Sequence, residues 1–221
     1  CQYSDITVFS FHPVKIITTA EGGMAVTGSE ALKEKMQLFR SHGVTRNKKL
    51  MTKESEGGWY YQQVALGFNY RMTELQAALG ISQMQRLDEF VAKRHILQKK
   101  YDLLLEDLPI IKPYQDKDSY SALHLYPIQI DLNSTKKSRK QVFNELRKKN
   151  ISVNVHYIPI YSHPYYEKFD FSNEILPIAE NYYNRAISIP LFSIMTSLQQ
   201  NTVEQALLSI FKLNNKSETI L

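Results

Sequence analysis

The stretch Ser10-Phe-His-Pro-Val-Lys15 constrains this chain more than any other. A β-rich run, Ile6-Thr-Val-Phe-Ser-Phe11, leads into it, and Gly-Gly-Met-Ala-Val-Thr27 after it has the residue types of a second strand. Pro13 disfavours helical dihedrals at His12, so the first strand cannot run on into a helix and Lys15 must leave its line on a connecting loop. Ser10 at the strand end and Lys15 on the loop are then able to face one pocket. A hydroxyl there is a phosphate ligand type, and a lysine screened from water can lose its proton and attack a carbonyl as a Schiff-base nucleophile. That pair of groups suits an aldehyde carrying a phosphate. The residue types alone also fit a solvent-facing lysine that follows a buried strand.

Downstream, Ser29 and the apolar positions Ala31, Leu32, Met36 and Phe39 predict a capped helix over 30–39. Residues 43–61 turn polar and charged, which predicts a long mobile loop where Arg46, Lys48 and Lys49 are able to meet a pyrophosphate or simply face water. Thr73-Glu-Leu-Gln76 is a capping box, with threonine and glutamine satisfying free backbone donors. From it Leu75, Ala78, Leu79, Met84, Leu87, Phe90 and Val91 keep one helical stripe toward Leu105, until Pro109 stops it. One long helix joining two lobes is expected. Asn69 and Arg71 stand just before its N-terminus, where free donors and the helix dipole favour anions, although asparagine is also a favoured turn residue.

Beyond Lys112-Pro113 the pattern becomes strand, helix, strand: 124–131, then 138–149 with Val142, Phe143 and Leu146 at helical spacing, then 151–156. Ile187-Ser-Ile-Pro190 reads as a short strand. Residues 202–213 read as a helix with Val203, Ala206, Leu207, Ile210 and Phe211 on its apolar face. The expected organisation is one unit over 1–110 including the long helix, a smaller α+β unit over 111–213, and a disordered tail over 214–221. Between the later elements, His156-Tyr-Ile-Pro-Ile-Tyr161-Ser-His-Pro-Tyr-Tyr166 gathers rings that suit a sugar or a base, and His156 is able to donate to a substrate phosphate or hydroxyl. Packing between lobes explains Tyr161, Tyr165 and Tyr166 as well.

Composition narrows the classes. With 221 residues and 43% hydrophobic content the chain can bury a sizeable core. No apolar run approaches a membrane span, no signal pattern opens the chain, and a cytoplasmic location is expected. The single cysteine, Cys1, excludes an internal disulfide, and two histidines seven apart without a nearby acid ligand make no zinc site. A formal charge of +5 allows phosphate ligands without requiring nucleic acid. Its densest cluster, Lys136, Lys137, Arg139 and Lys140 with Arg147, Lys148 and Lys149, has the look of a solvated helix face.

Ser10 to Lys15 with Thr18-Thr19-Ala-Glu-Gly-Gly23, Gly67-Phe-Asn-Tyr-Arg-Met72 and His156-Tyr-Ile-Pro159 together resemble, in the same order, three motifs of the DegT/DnrJ/EryC1/StrS sugar aminotransferases. The resemblance covers about Tyr3 to Leu213. It implies an α/β fold, the C-terminal part of a fold-type-I pyridoxal-phosphate transferase, comprising a remnant of the large mixed-sheet domain and a smaller α+β domain. It further implies Lys15 as the cofactor lysine, nucleophile and base together, with Ser10 and Asn69 on the cofactor phosphate. Asn69 would reach the neighbouring subunit of a homodimer, and Arg71, His156 and Tyr161 would face the substrate. The wording is closest to members that aminate a UDP-linked 4-keto-6-deoxy N-acetyl sugar on the way to pseudaminic acid. Glutamate is the usual amino donor in such families, and nothing in this sequence selects it. Some relatives that remove a sugar hydroxyl carry histidine in place of the lysine, so Lys15 favours amino transfer. Against the family pattern the chain reads as the back part of a longer protein, expected to lack transaminase activity by itself. Another nucleotide sugar, an anion-binding module and an inactive truncated product are the rival expectations.

Overall fold

The computed structural model describes residues 2–169 and 176–212, so Cys1 and the expected 214–221 tail lie outside the described residues. The chain packs as two compact units, Cys1–Leu87 and Asp88–Leu221.

In the first unit β1 (Thr7–Ser10) and β2 (Gly23–Val26) form an antiparallel pair. Helix α1 (Glu30–Arg40) follows, and the Ser29 side chain accepts from the Leu32 amide as the cap that the sequence predicts. The stretch expected to be an open loop is closed by two short strands, β3 (Val44–Thr45) and β4 (Gln62–Gln63), paired antiparallel. Within it, the Gln62 side chain accepts from the Thr52 amide and donates to the Lys53 carbonyl. Side-chain amide bonds thus replace the ladder that so polar a sequence cannot sustain.

The expected single long helix is two. Helix α2 (Glu74–Met84) carries the full capping box of Thr73 and Gln76, and α3 (Leu87–Leu104) begins after a tight turn in which the Arg86 amide bonds back to the Gln83 carbonyl at 3.0 Å. Such an i→i+3 bond closes a helix rather than continuing it. The apolar stripe read along both therefore has two fates. Leu75 and Met84 of α2 are exposed, whereas Leu97 and Tyr101 of α3, with Leu105, are buried in the core of the second unit. That burial places α3 with the second compact unit, which begins at Asp88.

The second unit is an antiparallel sheet in the order β5-β6-β7, from β5 (Ile110–Ile111), β6 (Tyr126–Ile130) and β7 (Ala186–Ile189). Helices α4 (Arg139–Lys148), α5 (Pro164–Glu167), α6 (Pro177–Arg185) and α7 (Ser197–Lys212) complete it. One core joins Tyr126, Ile128 and Ile130 of β6, Val142 and Leu146 of α4, and the five apolar positions read on α7. The strand expected over 151–156 is absent. Ile151 and Val153 do point inward, but only Asn154 pairs, in an isolated antiparallel bridge to Ser188.

A buried arginine ties this unit together. Arg94 on α3 is 5% exposed, and one guanidinium nitrogen donates to the carbonyls of Leu123, His124 and Leu191 at 3.1, 3.2 and 2.9 Å. Burial pulls its pKa down from the ordinary arginine value, while three carbonyl dipoles stabilise the charge. Its hold on Leu123, a buried leucine with φ of 53°, fixes a left-handed turn ahead of β6. Replacing Arg94 with methionine leaves those carbonyls without a donor and should destabilise the protein by about 3 kcal/mol. Denaturant unfolding of the whole protein followed by circular dichroism is the measurement, and a loss under about 0.5 kcal/mol would show that water replaces the arginine freely.

Candidate functional site

Because Ser10 pairs with Gly23, residues 11–22 form a loop closed at its base. Phe11 holds that base: its amide donates to the Gly22 carbonyl at 2.9 Å, and its carbonyl accepts from the Thr19 amide at 3.0 Å and from Thr18 Oγ1 at 2.9 Å. Inside the loop the Lys15 amide donates to the His12 carbonyl at 2.9 Å, a turn around Pro13. Lys15 therefore stands on the loop, as expected, and is half-buried. Its amino group makes no hydrogen bond or ion pair among the described residues. Ser10, exposed at the end of β1, has its Oγ 3.5 Å from the His12 amide. His12 Nε2 lies 3.8 Å from Glu21 Oε1, an exposed pairing worth little.

The second motif lies along α1 and the turn after it. The Phe68 amide donates to the Phe39 carbonyl at 2.7 Å and the Tyr70 amide to the Arg40 carbonyl at 3.0 Å, while Asn69 pairs with Ser41. Two glycines permit this closeness. A Cβ on Gly67 would sit 2.2 Å from the Gly43 nitrogen, and Gly43, at φ of 69°, would place one 1.8 Å from the Ala65 carbonyl oxygen. Arg71 Nε donates to Asn69 Oδ1 at 3.0 Å, so the asparagine orients the arginine. Glu21, Gly22 and Gly23 at the end of the lysine loop line one cleft of about 390 Å³ with Tyr70, Arg71, Met72 and Gln76. The first two motifs, far apart in sequence, thus share a cleft within the first unit.

The third motif belongs to the second unit. His156 Nδ1 lies 2.8 Å from Ser188 Oγ on β7, which fixes the ring plane. Tyr161 donates its hydroxyl to Glu180 Oε1 on α6 at 2.8 Å, and that bond to a carboxylate holds the phenol above the ordinary tyrosine range. Tyr165 and Tyr166 pack edge to face at 5.2 Å, and the Lys168 ammonium lies 3.8 Å from the Tyr165 ring centre. The basic cluster is partly engaged rather than simply solvated: Lys137 pairs with Glu145 at 2.6 Å and Arg139 stacks over Tyr183 at 4.4 Å. Arg46, Lys48 and Lys49 are exposed. Glu180 and Ser188, which orient Tyr161 and His156, carry no local signal in the sequence, because each meets a partner distant in the chain.

The DegT/DnrJ/EryC1/StrS aminotransferase family model matches residues 1–208. This chain belongs to that family. The family's aminotransferases depend on pyridoxal phosphate, and one structural neighbour, the putative sugar aminotransferase Spr1654 of Streptococcus pneumoniae, was solved in its PLP form. It matches at 26% identity with a TM-score of 0.81, over 95% of this chain and 52% of that one. PseC of Helicobacter pylori, an aminotransferase involved in the biosynthesis of pseudaminic acid, matches at 32% identity and a TM-score of 0.84, over 96% and 54%. The UDP-4-amino-4,6-dideoxy-N-acetyl-beta-L-altrosamine transaminase of Campylobacter jejuni is 37% identical over 211 residues, 95% of this chain and 53% of the relative. The chain spans about half the length of the curated relatives it matches. Among the described residues no helix is long and apolar enough to cross a membrane.

The Tyr161–Glu180 bond has a pH signature. Because the folded pKa of Tyr161 is raised, the bond favours the folded state below the ordinary tyrosine range and loses its effect as pH climbs through the raised value. In Glu180→Gln, which keeps the size and removes the charge, the Tyr161 titration should fall back toward that of a free tyrosine. Ultraviolet titration of the wild type and this variant, each compared with its Tyr161→Phe counterpart, reads the difference. An identical Tyr161 titration in both would mean that Glu180 does not hold the hydroxyl in solution.

Proposed function

We propose that the whole protein is a pyridoxal-phosphate aminotransferase that places an amino group, supplied by glutamate, on a UDP-linked 4-keto-6-deoxy N-acetyl sugar for surface-glycan synthesis of the pseudaminic acid type. One observation carries the proposal. Among the described residues a half-buried lysine with an unengaged amino group stands on a loop closed at Phe11, within the Ser10 to Gly23 stretch that resembles the family's cofactor-lysine motif. The Campylobacter jejuni relative, a UDP-4-amino-4,6-dideoxy-N-acetyl-beta-L-altrosamine transaminase, supports the substrate class.

The donor set fits the cofactor. An amine for its aldehyde, the Ser10 hydroxyl at a strand end and the Asn69 amide beside a helix N-terminus for its phosphate are the group types it needs. When bound, the cofactor supplies an electron sink for the carbon whose bond to hydrogen is broken. The chain's own residues do the rest. Lys15 Nζ would hold the cofactor's aldehyde carbon and, when not so engaged, would carry a proton to and from the reacting carbon. Its root is half-buried on the closed loop, which limits where the amine can reach. Ser10 and Asn69 orient the phosphate, Arg71 offers a fixed cation to the substrate, and His156 and Tyr161 bind its polar groups, each held by a neighbour that limits its freedom. The cofactor-binding part runs over 1–110, its connecting helix α3 lending side chains to the core of the second unit, and the smaller domain over 111–213. The enzyme is a cytoplasmic homodimer in which Asn69 serves the site of the opposite protomer.

Mixing two defective variants of the whole protein tests residues and assembly together. Assayed with glutamate and the UDP-4-keto sugar, Lys15→Ala should lose about a thousandfold or more in kcat. Asn69→Ala should be weak because its cofactor phosphate is poorly held. In a heterodimer of the two, one site inherits both defects and the other is intact. Free exchange gives about half heterodimers, so roughly a quarter of all sites should regain wild-type turnover. Activity no greater than the average of the separate variants, with heterodimers demonstrated by mass spectrometry, would confine Asn69 to its own protomer. Full activity of Lys15→Ala would end the assignment of the lysine.

A further inference from the structure

The loop that carries Lys15 ends on a carbonyl with two donors. Glu21 O accepts from Thr19 Oγ1 at 2.8 Å and from Gln76 Nε2 at 3.0 Å. Gln76 is also the capping-box residue of α2. Its Oε1 accepts from the Thr73 amide at 2.9 Å, while Thr73 Oγ1 accepts from the Gln76 amide at 3.3 Å. One side-chain amide therefore uses its oxygen to cap the helix and its nitrogen to hold a loop 55 residues away.

The packing around this bond is tight. Thr19 is 2% exposed. A Cβ on Gly80, one turn along α2 from Gln76, would lie 2.8 Å from Thr19 Cγ2, and one on Gly22 would lie 2.2 Å from Thr19 Oγ1 and 2.9 Å from Met72 Cε. The face of α2 bearing Gln76 and Gly80 is thus seated on residues 19–22.

The residue type separates two roles. A capping box accepts glutamate or glutamine equally, because only the side-chain oxygen is needed. Donation to a carbonyl requires the amide nitrogen, which glutamate lacks. We infer that Gln76 is a positioning residue for the Lys15 loop, tying the segment 69–72 and the start of α2 to the carbonyl that ends the loop. The inference rests on the reading of Lys15 as the cofactor lysine. It makes the set of the lysine depend on the helix that follows Asn69 and Arg71.

Hydrogen exchange of the whole protein, first without cofactor, tests it through Gln76→Glu, which keeps the cap acceptor and removes the donor to Glu21. The amides of Phe11, Lys15 and Thr19 should exchange about tenfold faster than in wild type, while those of α2 stay unchanged. Thr73→Ala should give the reverse pattern, a looser helix start and a protected loop. Once loaded, Gln76→Glu should release pyridoxal phosphate about tenfold faster than wild type, and Thr73→Ala at nearly the wild-type rate. Loop exchange within twofold of wild type in Gln76→Glu overturns the inference, as does equal loosening of the loop in Thr73→Ala, since capping alone would then explain the residue. Should Gln76→Glu not fold, Thr19→Val removes the other donor to the same carbonyl; it should loosen the same amides, and wild-type protection there also overturns the proposal. The exchange measurement involves no chemistry at Lys15, so the two readings fail separately. An unchanged loop defeats the role of Gln76 and leaves the lysine assignment standing, whereas attachment of the cofactor to another lysine defeats both.

Discussion

The backbone of Phe11 closes the loop that carries Lys15. Its amide reaches Gly22, and its carbonyl collects the Thr19 amide and the Thr18 hydroxyl, so two consecutive threonines are committed to one acceptor. Without that acceptor the buried Thr19 amide would have no partner, a cost of about 1–3 kcal/mol. The loop therefore has a strong reason to stay closed, and Lys15 is set by its base rather than by contacts of its own side chain. A reactive amine needs just this: a fixed root and a free end.

The two units are stabilised differently. In the second, β6 alternates buried and half-buried residues against helices whose apolar faces meet one core. In the first, no residue of α1 or α2 is buried, and Val8, Phe9 and Met24 on the paired strands remain exposed. Order there comes from hydrogen bonds: the Phe11 node, the Gln62 side chain, the strip from Phe68 to Tyr70 and the Thr73–Gln76 cap. Close glycine packing at Gly43 and Gly67 lets these backbones approach.

Legibility from sequence followed the same division. Helices α4 and α7 were readable because their apolar positions recur at helical spacing and are the residues that bury, Val203 and Leu207 among them. The Ser29 and Thr73 caps were equally local signals. The strand expected over 151–156 misled because inward alternation at Ile151 and Val153 needs only a packed segment, not a ladder. The helix break after Met84 left no proline or glycine as a marker, since an ordinary Gln-Arg pair makes the turn. Sequence also singled out Lys15, Ser10, Asn69 and Arg71 through short motifs. It could not reveal that Glu21 and Arg71 share a cleft, that Glu180 holds Tyr161, or that Gln76 reaches back to Glu21, because each pairing joins residues far apart in the chain.

The central claim is that the amine on the Phe11-closed loop is the one that holds the cofactor. Reduction of the loaded whole protein with borohydride, followed by proteolysis and mass spectrometry, addresses it directly. A single pyridoxyl label on the peptide that contains Lys15, absent from Lys15→Ala, is the expected result; a label on any other lysine, or undiminished labelling of Lys15→Ala, would contradict it.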